Sequence, residues 1–347
     1  MRQFTGFMRG TNLGGWLSQF DAYDPEHFRS FITRDDIQRI REFGFDHVRV
    51  PVNYEIFEDE EGNEKEEGYS YIDNCLTWCK EAGLNLILDL HRAFGYTFDP
   101  LDDTIVDKKA FFYDEGMQSR FLGLWERFAG RWGSDPAVAF ELMNEIVSPE
   151  VKEEWNEVAD RAVTVIRKSA PKTPIIIGGV NYNHVLNVAD LRPPRDENII
   201  YNFHCYEPLI FTHQKAYWVP EMPPELTVEY PDTVESYREK SMVLMEAHRS
   251  GIERKEITAL DASFFTTLFQ PAVDAAEKNN APLYCGEYGV IDRAPVESTA
   301  RWLHDIHAAF AAFGIGHAWW NYKGKDYGLV DGHYDAILPV MKQLFGG

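Results

Sequence analysis

Two glutamates carry the chemistry for which this sequence can be read. Glu145 closes Ala139-Phe140-Glu141-Leu142-Met143-Asn144-Glu145, an apolar-rich run that ends on a polar pair. Glu287 closes Leu283-Tyr284-Cys285-Gly286-Glu287 in a similar way. Two carboxyl groups facing one substrate are what glycoside hydrolysis requires. One gives a proton to the leaving oxygen, and the other meets the oxocarbenium-like carbon. Carboxyl groups about 5–5.5 Å apart act through a nucleophile and retain configuration, whereas a gap of roughly 6.5–9.5 Å admits a water and inverts it. Both geometries are open at the level of sequence. The bland alternative is two strand-end glutamates in unrelated ion pairs.

Other candidates fall at equivalent places. Arg49 lies within His47-Val48-Arg49-Val50-Pro51-Val52, where it would keep a neighbouring carboxylate ionised or serve in a barrel-closing ion pair. His91, followed by Arg92, ends Asn85-Leu86-Ile87-Leu88-Asp89-Leu90-His91; His204 and Tyr206 end the run 199–206. The two histidines read as metal ligands, neutral hydrogen-bond partners or satisfied core residues. Metal-dependent barrels gather several His and Asp, and Met8-Arg9-Gly10-Thr11-Asn12 supplies no ligand, so hydrogen bonding is favoured; no metal and no cofactor is expected. Trp320 offers a flat apolar face that matches the C–H face of a pyranose. Trp319 alternates to the other side and is expected among helices. Trp16, Phe94, Tyr96, Phe211 and Trp218 lie in loops, where they serve either further sugar subsites or packing.

These residues need elements that bring them to one place. Short apolar runs alternate with helical stretches along the chain: strands at 7–13, 47–52, 85–91, 138–145, 174–179, 199–206, 282–288 and 316–322. Helices are expected over 70–82, 118–132, 150–168, 264–278, 297–313 and 337–345, with another capped by Thr33-Arg34-Asp35-Asp36. This rhythm predicts an α/β fold, a (β/α)8 TIM barrel, whose active sites lie at the C-terminal strand ends. Such a barrel takes about 250 residues. The excess is concentrated in 207–262, expected to be a subdomain inserted between strand six and helix six of a single catalytic domain spanning 1–347.

Composition narrows the partners. The formal charge is 34 − 56 = −22, which opposes phosphate backbones and anionic membranes and suits a neutral substrate. Aromatic residues make up 14%, including nine Trp, in keeping with a carbohydrate site as well as with a core. The acidic stretch 58–67 reads as a solvated loop. Cys75, Cys79, Cys205 and Cys285 read as free thiols. Met1-Arg2-Gln3-Phe4 lacks the apolar core of a secretion signal, so the chain is expected to be cytoplasmic or a mature secreted form, and a monomer.

At these residues the chain resembles family 5 of the glycoside hydrolases, in the retaining (β/α)8 clan, and within it the compact bacterial endoglucanase C type. The resemblance runs through Asn12-Leu13-Gly14-Gly15-Trp16, Asp46-His47-Val48-Arg49, Leu88-Asp89-Leu90-His91 and Phe140-Glu141-Leu142-Met143-Asn144-Glu145. It continues in Tyr201-Asn202-Phe203-His204-Cys205-Tyr206, Phe211-Thr212-His213-Gln214-Lys215-Ala216, Leu283-Tyr284-Cys285-Gly286-Glu287 and Trp320-Asn321-Tyr322-Lys323. It implies Glu145 as general acid/base and Glu287 as nucleophile. By the same resemblance Asn144 binds the sugar 2-hydroxyl, Arg49 and Tyr206 hold Glu287, His91 and His204 frame the subsite, and Trp320 is its floor. The implied activity is a retaining endo-β-1,4-glucanase on cellulose-type or mixed-linkage β-glucan. The family also contains β-mannanases and exo-β-1,3-glucanases, and a non-catalytic sugar-binding barrel is the reading from another class. One departure is Arg92, which stands where the family type has a second histidine.

Overall fold

The computed structural model describes residues 1–346. Eight strands close into one all-parallel barrel: β1 (Arg9–Asn12), β2 (His47–Asn53), β3 (Asn85–Arg92), β4 (Val138–Glu141), β5 (Ile175–Gly178), β6 (Ile199–Cys205), β7 (Leu283–Tyr288) and β8 (Gly316–Trp319). Strand order follows chain order, and β8 pairs back onto β1 through Gly10 opposite Ala318. The expected TIM barrel is therefore the architecture found.

The barrel interior follows from the two-residue period of its strands. At the N-terminal end Phe4 and Phe7 plug the opening against a layer of Ile87, Ala139, Ile176, Ile200, Tyr284 and Ala318. Two residues further along the same strands stand Asp89, Glu141 and Asn202, all buried. Another step along β3 and β6 brings His91 and His204. The inside thus passes from apolar at the bottom to charged at the top, while the alternate residues, such as Leu88, Leu90, Phe203 and Cys205, meet the helix layer.

Helix ends explain how the strands are spaced. Thr33 accepts from the Asp36 amide and Asp36 returns a bond to Thr33, a capping box that starts Arg34–Glu42. Asp114 and Asp261 cap Glu115–Trp132 and Ala262–Lys278 in the same manner, each through one side-chain bond. Gly83 stops Glu66–Ala82 at φ +70°, in the left-handed region where a side chain is disfavoured. The acidic stretch is thus only partly a loop. Glu66 and Glu67 open a helix, where negative charge meets the positive end of the helix dipole. Glu58 is buried between Arg120 and Arg127, where its charge is compensated.

Tryptophan serves mainly to lock helices to strands. Trp125 donates to the Leu142 carbonyl at 3.3 Å, Trp155 to Gly178 at 2.8 Å and Trp302 to Glu207 at 3.0 Å. Trp319 packs against Tyr334 and Phe345, on the helix side of β8 as expected. Of the nine Trp only Trp218 and Trp320 reach the cavity described below, so the high aromatic content chiefly reports core packing.

After β6 the chain runs through short helices at Leu209–Thr212, Val234–Ser241 and Glu246–Arg249 before Ala262–Lys278 begins. The sequence pattern favours one helix over 233–248. Instead the chain turns at 242–245, a turn that buries Leu244 and leaves Met242, Val243 and Met245 exposed.

Candidate active site

A cavity of about 560 Å³ opens at the C-terminal end of the barrel. Glu145, Glu287, His91, His204, Tyr206 and Trp320 all line it. Arg49 and Asn144 lie beneath, both buried. All eight sequence-derived candidates are therefore brought to one place.

Arg49 organises this place. Its guanidinium is fully enclosed and donates from Nε and Nη2 to the two carboxylate oxygens of Glu141, at 2.7 and 2.8 Å. Nη1 donates to Glu287 Oε1 at 2.8 Å and to Asn12 Oδ1 at 2.9 Å. Nη2 also donates to Asn144 Oδ1 at 2.8 Å and lies 3.0 Å from Asp89 Oδ2. With its oxygen engaged, the Asn144 amide turns Nδ2 away, and that nitrogen has no partner within the protein. Asn202 completes the lower layer by donating to Glu141 Oε1 at 2.9 Å while accepting from the Gly286 amide at 2.9 Å.

A single guanidinium cannot hold this many carboxyl groups ionised. Burial pushes Asp89 and Glu141 up to about 7, against the pull of Arg49. Burial likewise raises Glu145 well above the usual carboxylate range, and the neighbouring Glu287 adds to the rise. Glu287 is also raised by burial, but Arg49 and the 2.9 Å bond from Tyr206 Oη to Oε2 work in the opposite direction. Glu287 therefore ionises before Glu145. Two carboxyls whose surroundings push their proton affinities apart divide acid and base work between them.

One carboxylate oxygen each of Glu145 and Glu287, together with a ring nitrogen of His204, lie within 4.8 Å of one another. These are donors of the metal-ligand type, yet the Arg49 charge 2.8 Å from Glu287 opposes a cation there. His204 Nδ1 sits 2.8 Å from Glu145 Oε1. Its Nε2 lies over Gly286, where any Cβ would come within 3.1 Å. His91 is oriented by Asp89, with Nδ1 2.6 Å from Oδ2, which leaves Nε2 unpartnered. Burial depresses both histidines, His91 to about 3, so both are neutral in the working range.

Trp320 stacks parallel to His91 at 5.8 Å and forms one side of the cavity. A Cβ at Gly14 would lie 2.6 Å from its ring, so only glycine lets the indole settle against the β1 end. Trp218 also lines the cavity, whereas Trp16, Tyr96 and Phe211 are buried in packing, and Phe94 stacks with Arg120. Tyr96 has a further role: its hydroxyl donates to the Glu145 carbonyl at 2.6 Å and accepts from the Val147 amide at 2.9 Å. Arg92 pairs with Glu55 and Asp102. Asp89, Glu141, Asn12 and Asn202 were not singled out in the sequence, although lone polar residues inside apolar strands are the signal that marks such a layer.

A closed (β/α)8 barrel with two glutamates of unequal proton affinity across its mouth has the form of a glycoside hydrolase. Residues 8–326 match the family model for cellulase, glycosyl hydrolase family 5. The chain belongs to that family. It is 40% identical to endoglucanase C of Acetivibrio thermocellus, covering 97% of this chain and 96% of that protein. It is 37% identical to cellodextrinase A of Ruminococcus flavefaciens, over 91% and 85% of the two chains. Among solved structures, a hyperthermophilic endo-beta-1,4-glucanase in complex with substrate superposes with a TM-score of 0.76, at 22% identity over 99% and 97% of the chains. Cel5A of Thermotoga maritima with mannotriose superposes at 0.73, with 23% identity over 98% and 97%. At such identity these two likenesses speak for the fold.

Proposed function

We propose that this protein is a retaining endo-β-1,4-glucanase that cleaves internal bonds of cellulose-type or mixed-linkage β-glucans. The observation that supports the retaining mechanism is that one carboxylate oxygen of Glu145 lies within 4.8 Å of one of Glu287, nearer the separation of about 5–5.5 Å of a retaining pair than the roughly 6.5–9.5 Å of an inverting one. The glucan preference rests on the resemblance to endoglucanase C over nearly the whole chain.

In the first step a Glu287 oxygen attacks the anomeric carbon as Glu145 gives its proton to the glycosidic oxygen, and the leaving sugar departs. The C–O bond lost to the leaving group is replaced by an ester bond to Glu287. In the second step Glu145, now a carboxylate, takes a proton from a water that attacks the same carbon. Glu287 leaves as a carboxylate and Glu145 is again protonated. Asn144 Nδ2, without a protein partner, is placed to donate to the 2-hydroxyl; His91 Nε2 faces the same sugar, and Trp320 lies along its apolar side. Arg49 and Tyr206 hold Glu287 in the ionised form that attack requires. One chain supplies every group, so the enzyme acts as a monomer, a single catalytic domain with 207–262 as an insertion beside the cleft.

Product analysis on cellulose, lichenan, mannan and laminarin tests this reading. Soluble cello-oligosaccharides of mixed length from cellulose or lichenan are expected. Glucose alone from chain ends, or cleavage of mannan or laminarin in preference to β-1,4-glucan, would overturn it.

A further inference from the structure

The cavity has a second wall that the two-step chemistry leaves unused. It begins after β5, where Asn181, Tyr182 and Asn183 stand at φ +58°, +57° and +54°. Three successive residues in the left-handed region, none of them glycine, make a strained turn. The surroundings hold them there: Asn183 Oδ1 accepts from the Gly179 amide at 3.0 Å, and the Tyr182 amide donates to the Ile146 carbonyl at 3.0 Å. Tyr182 is thereby tied to the residue after Glu145. The same turn delivers His184.

Opposite this turn lies Glu207, just past the end of β6. It is 95% buried, and its Oε1 meets His184 Nε2 at 3.1 Å. His184 Nδ1 accepts from the Leu186 amide at 3.3 Å, so Nε2 carries the proton and donates to Glu207. Glu207 lines the cavity, and its Oε2, itself buried, has no partner in the protein. The backbone of Gly251 pins the carboxylate from behind: a Cβ there would lie 2.8 Å from it. His248, tilted against Tyr182 with ring centres 5.9 Å apart, and Glu221 add further unpartnered atoms, Nδ1 and Oε2, in the same wall.

This wall stands on the Glu145 side of the cleft, fed by β5, β6 and the inserted segment. Trp320 and His91 stand on the side of β8 and β3. In a double displacement the group leaving toward the acid occupies the Glu145 side. Glu207 and Glu221 oppose an anion. A cation needs convergent ligands, and among the described residues the His, Cys, Asp and Glu atoms that gather within 4.8 Å are those of Glu145, His204 and Glu287. A neutral polyol remains, with hydroxyls to donate to the free carboxylate oxygens and a ring face to lie against Tyr182.

We propose that Glu207, with His184, His248 and Tyr182, forms the binding site of the leaving-group sugar and selects a hydroxyl-bearing leaving group over a bare one. This rests on the glucanase reading above. Glu207 is a specificity residue here and takes no part in bond making.

The test compares cellotetraose with 2,4-dinitrophenyl β-cellobioside, whose leaving group carries no sugar hydroxyls and needs no proton. Glu207→Gln is expected to lower kcat/KM on cellotetraose by about tenfold or more, the worth of a charge-assisted hydrogen bond, and to leave the aryl substrate within about twofold of wild type. His248→Ala, at a partly exposed site, is expected to move in the same direction by a smaller factor and keeps the test decisive if Glu207→Gln folds poorly. Equal loss on both substrates, or no loss on either, would overturn the proposal. A wild-type enzyme inactive on both substrates would instead overturn the glucanase reading.

Discussion

His204 Nδ1 lies 2.8 Å from Glu145 Oε1 and 3.7 Å from Glu287 Oε2. One imidazole therefore touches the proposed proton donor and stops short of hydrogen-bonding the proposed nucleophile. Burial keeps that ring neutral, so it orients Glu145 without bringing a positive charge that would draw off its proton.

The pH dependence follows from this arrangement. Activity needs Glu287 ionised and Glu145 protonated. As pH falls, kcat/KM drops when Glu287 takes up a proton; as pH rises, it drops when Glu145 loses one. Because Glu145 is the more strongly raised of the two, the profile of the free enzyme is a bell. His204→Ala opens room for water beside Glu145, weakens the burial that raises it, and is expected to move the alkaline limb down by about one pH unit. A pH–rate series on wild type and variant measures both limbs; an unmoved alkaline limb would show that His204 does not act on Glu145.

The two carboxylates are expected to fail differently. Glu287→Gln removes the nucleophile and should abolish hydrolysis of every substrate. Glu145→Ala should abolish cellulose hydrolysis yet still release dinitrophenolate in a burst from the aryl cellobioside, because that leaving group departs without a proton. Stopped-flow absorbance reads the burst. Its absence in Glu145→Ala, or its presence in Glu287→Gln, would reverse the assignment.

Arg49 joins stability to chemistry. Arg49→Lys keeps a charge but loses the planar fork that serves Glu141, Glu287, Asn12 and Asn144 together. Buried carboxyls left without partners cost roughly 3–5 kcal/mol. Urea denaturation of the variant is expected to show a loss of that order, together with a fall in kcat of about a hundredfold or more as Glu287 shifts. A stable and active lysine variant would show that the guanidinium fork is not what holds the site together.

Asp89 and Glu141, both near 7, imply an unusual stability profile. Their unfolded carboxyls titrate at about 3.9–4.3. A carboxyl raised in the folded state favours folding while it is protonated, and that contribution is lost as pH climbs from about 4 to about 7. Asp89→Asn carries no such proton. The stability of wild type relative to Asp89→Asn should therefore fall across that window and level off above it. Denaturation midpoints at pH 4.5, 6 and 7.5 in the two proteins decide the sign.

The barrel was legible in the chain because strands enclosed on both sides are continuous apolar runs, separated by helices with readable caps such as Thr33 and Gly83. The meeting of Glu145 and Glu287 in one cavity was legible because each glutamate ends such a run. The layer beneath it was overlooked, although Ile87, Asp89 and His91, like Ala139 and Glu141, keep the two-residue period that faces the barrel axis. What pattern could not carry was the second wall. Asn181-Tyr182-Asn183 has no glycine to mark its left-handed turn, and Glu207 is separated from His184 by a whole strand. Tryptophan misled in the other direction, since rings that bind sugar and rings that lock helices look alike in a sequence.

Glu145 lies beyond the last residue of β4, which ends at Glu141, whereas Glu287 lies within β7. The proposed nucleophile is thus borne by the sheet. Glu145, the proposed proton donor, is held by what surrounds it: the Tyr96 hydroxyl on its carbonyl and the strained turn tied to Ile146. Heat loosens such lateral supports before it opens a hydrogen-bonded barrel. On warming, the enzyme should lose its grip on proton delivery first, so that cellulose survives at temperatures where an aryl glycoside is still cleaved. Thermal tolerance on the natural polymer is then a property of two loops, and these, not the barrel, are where it can be raised.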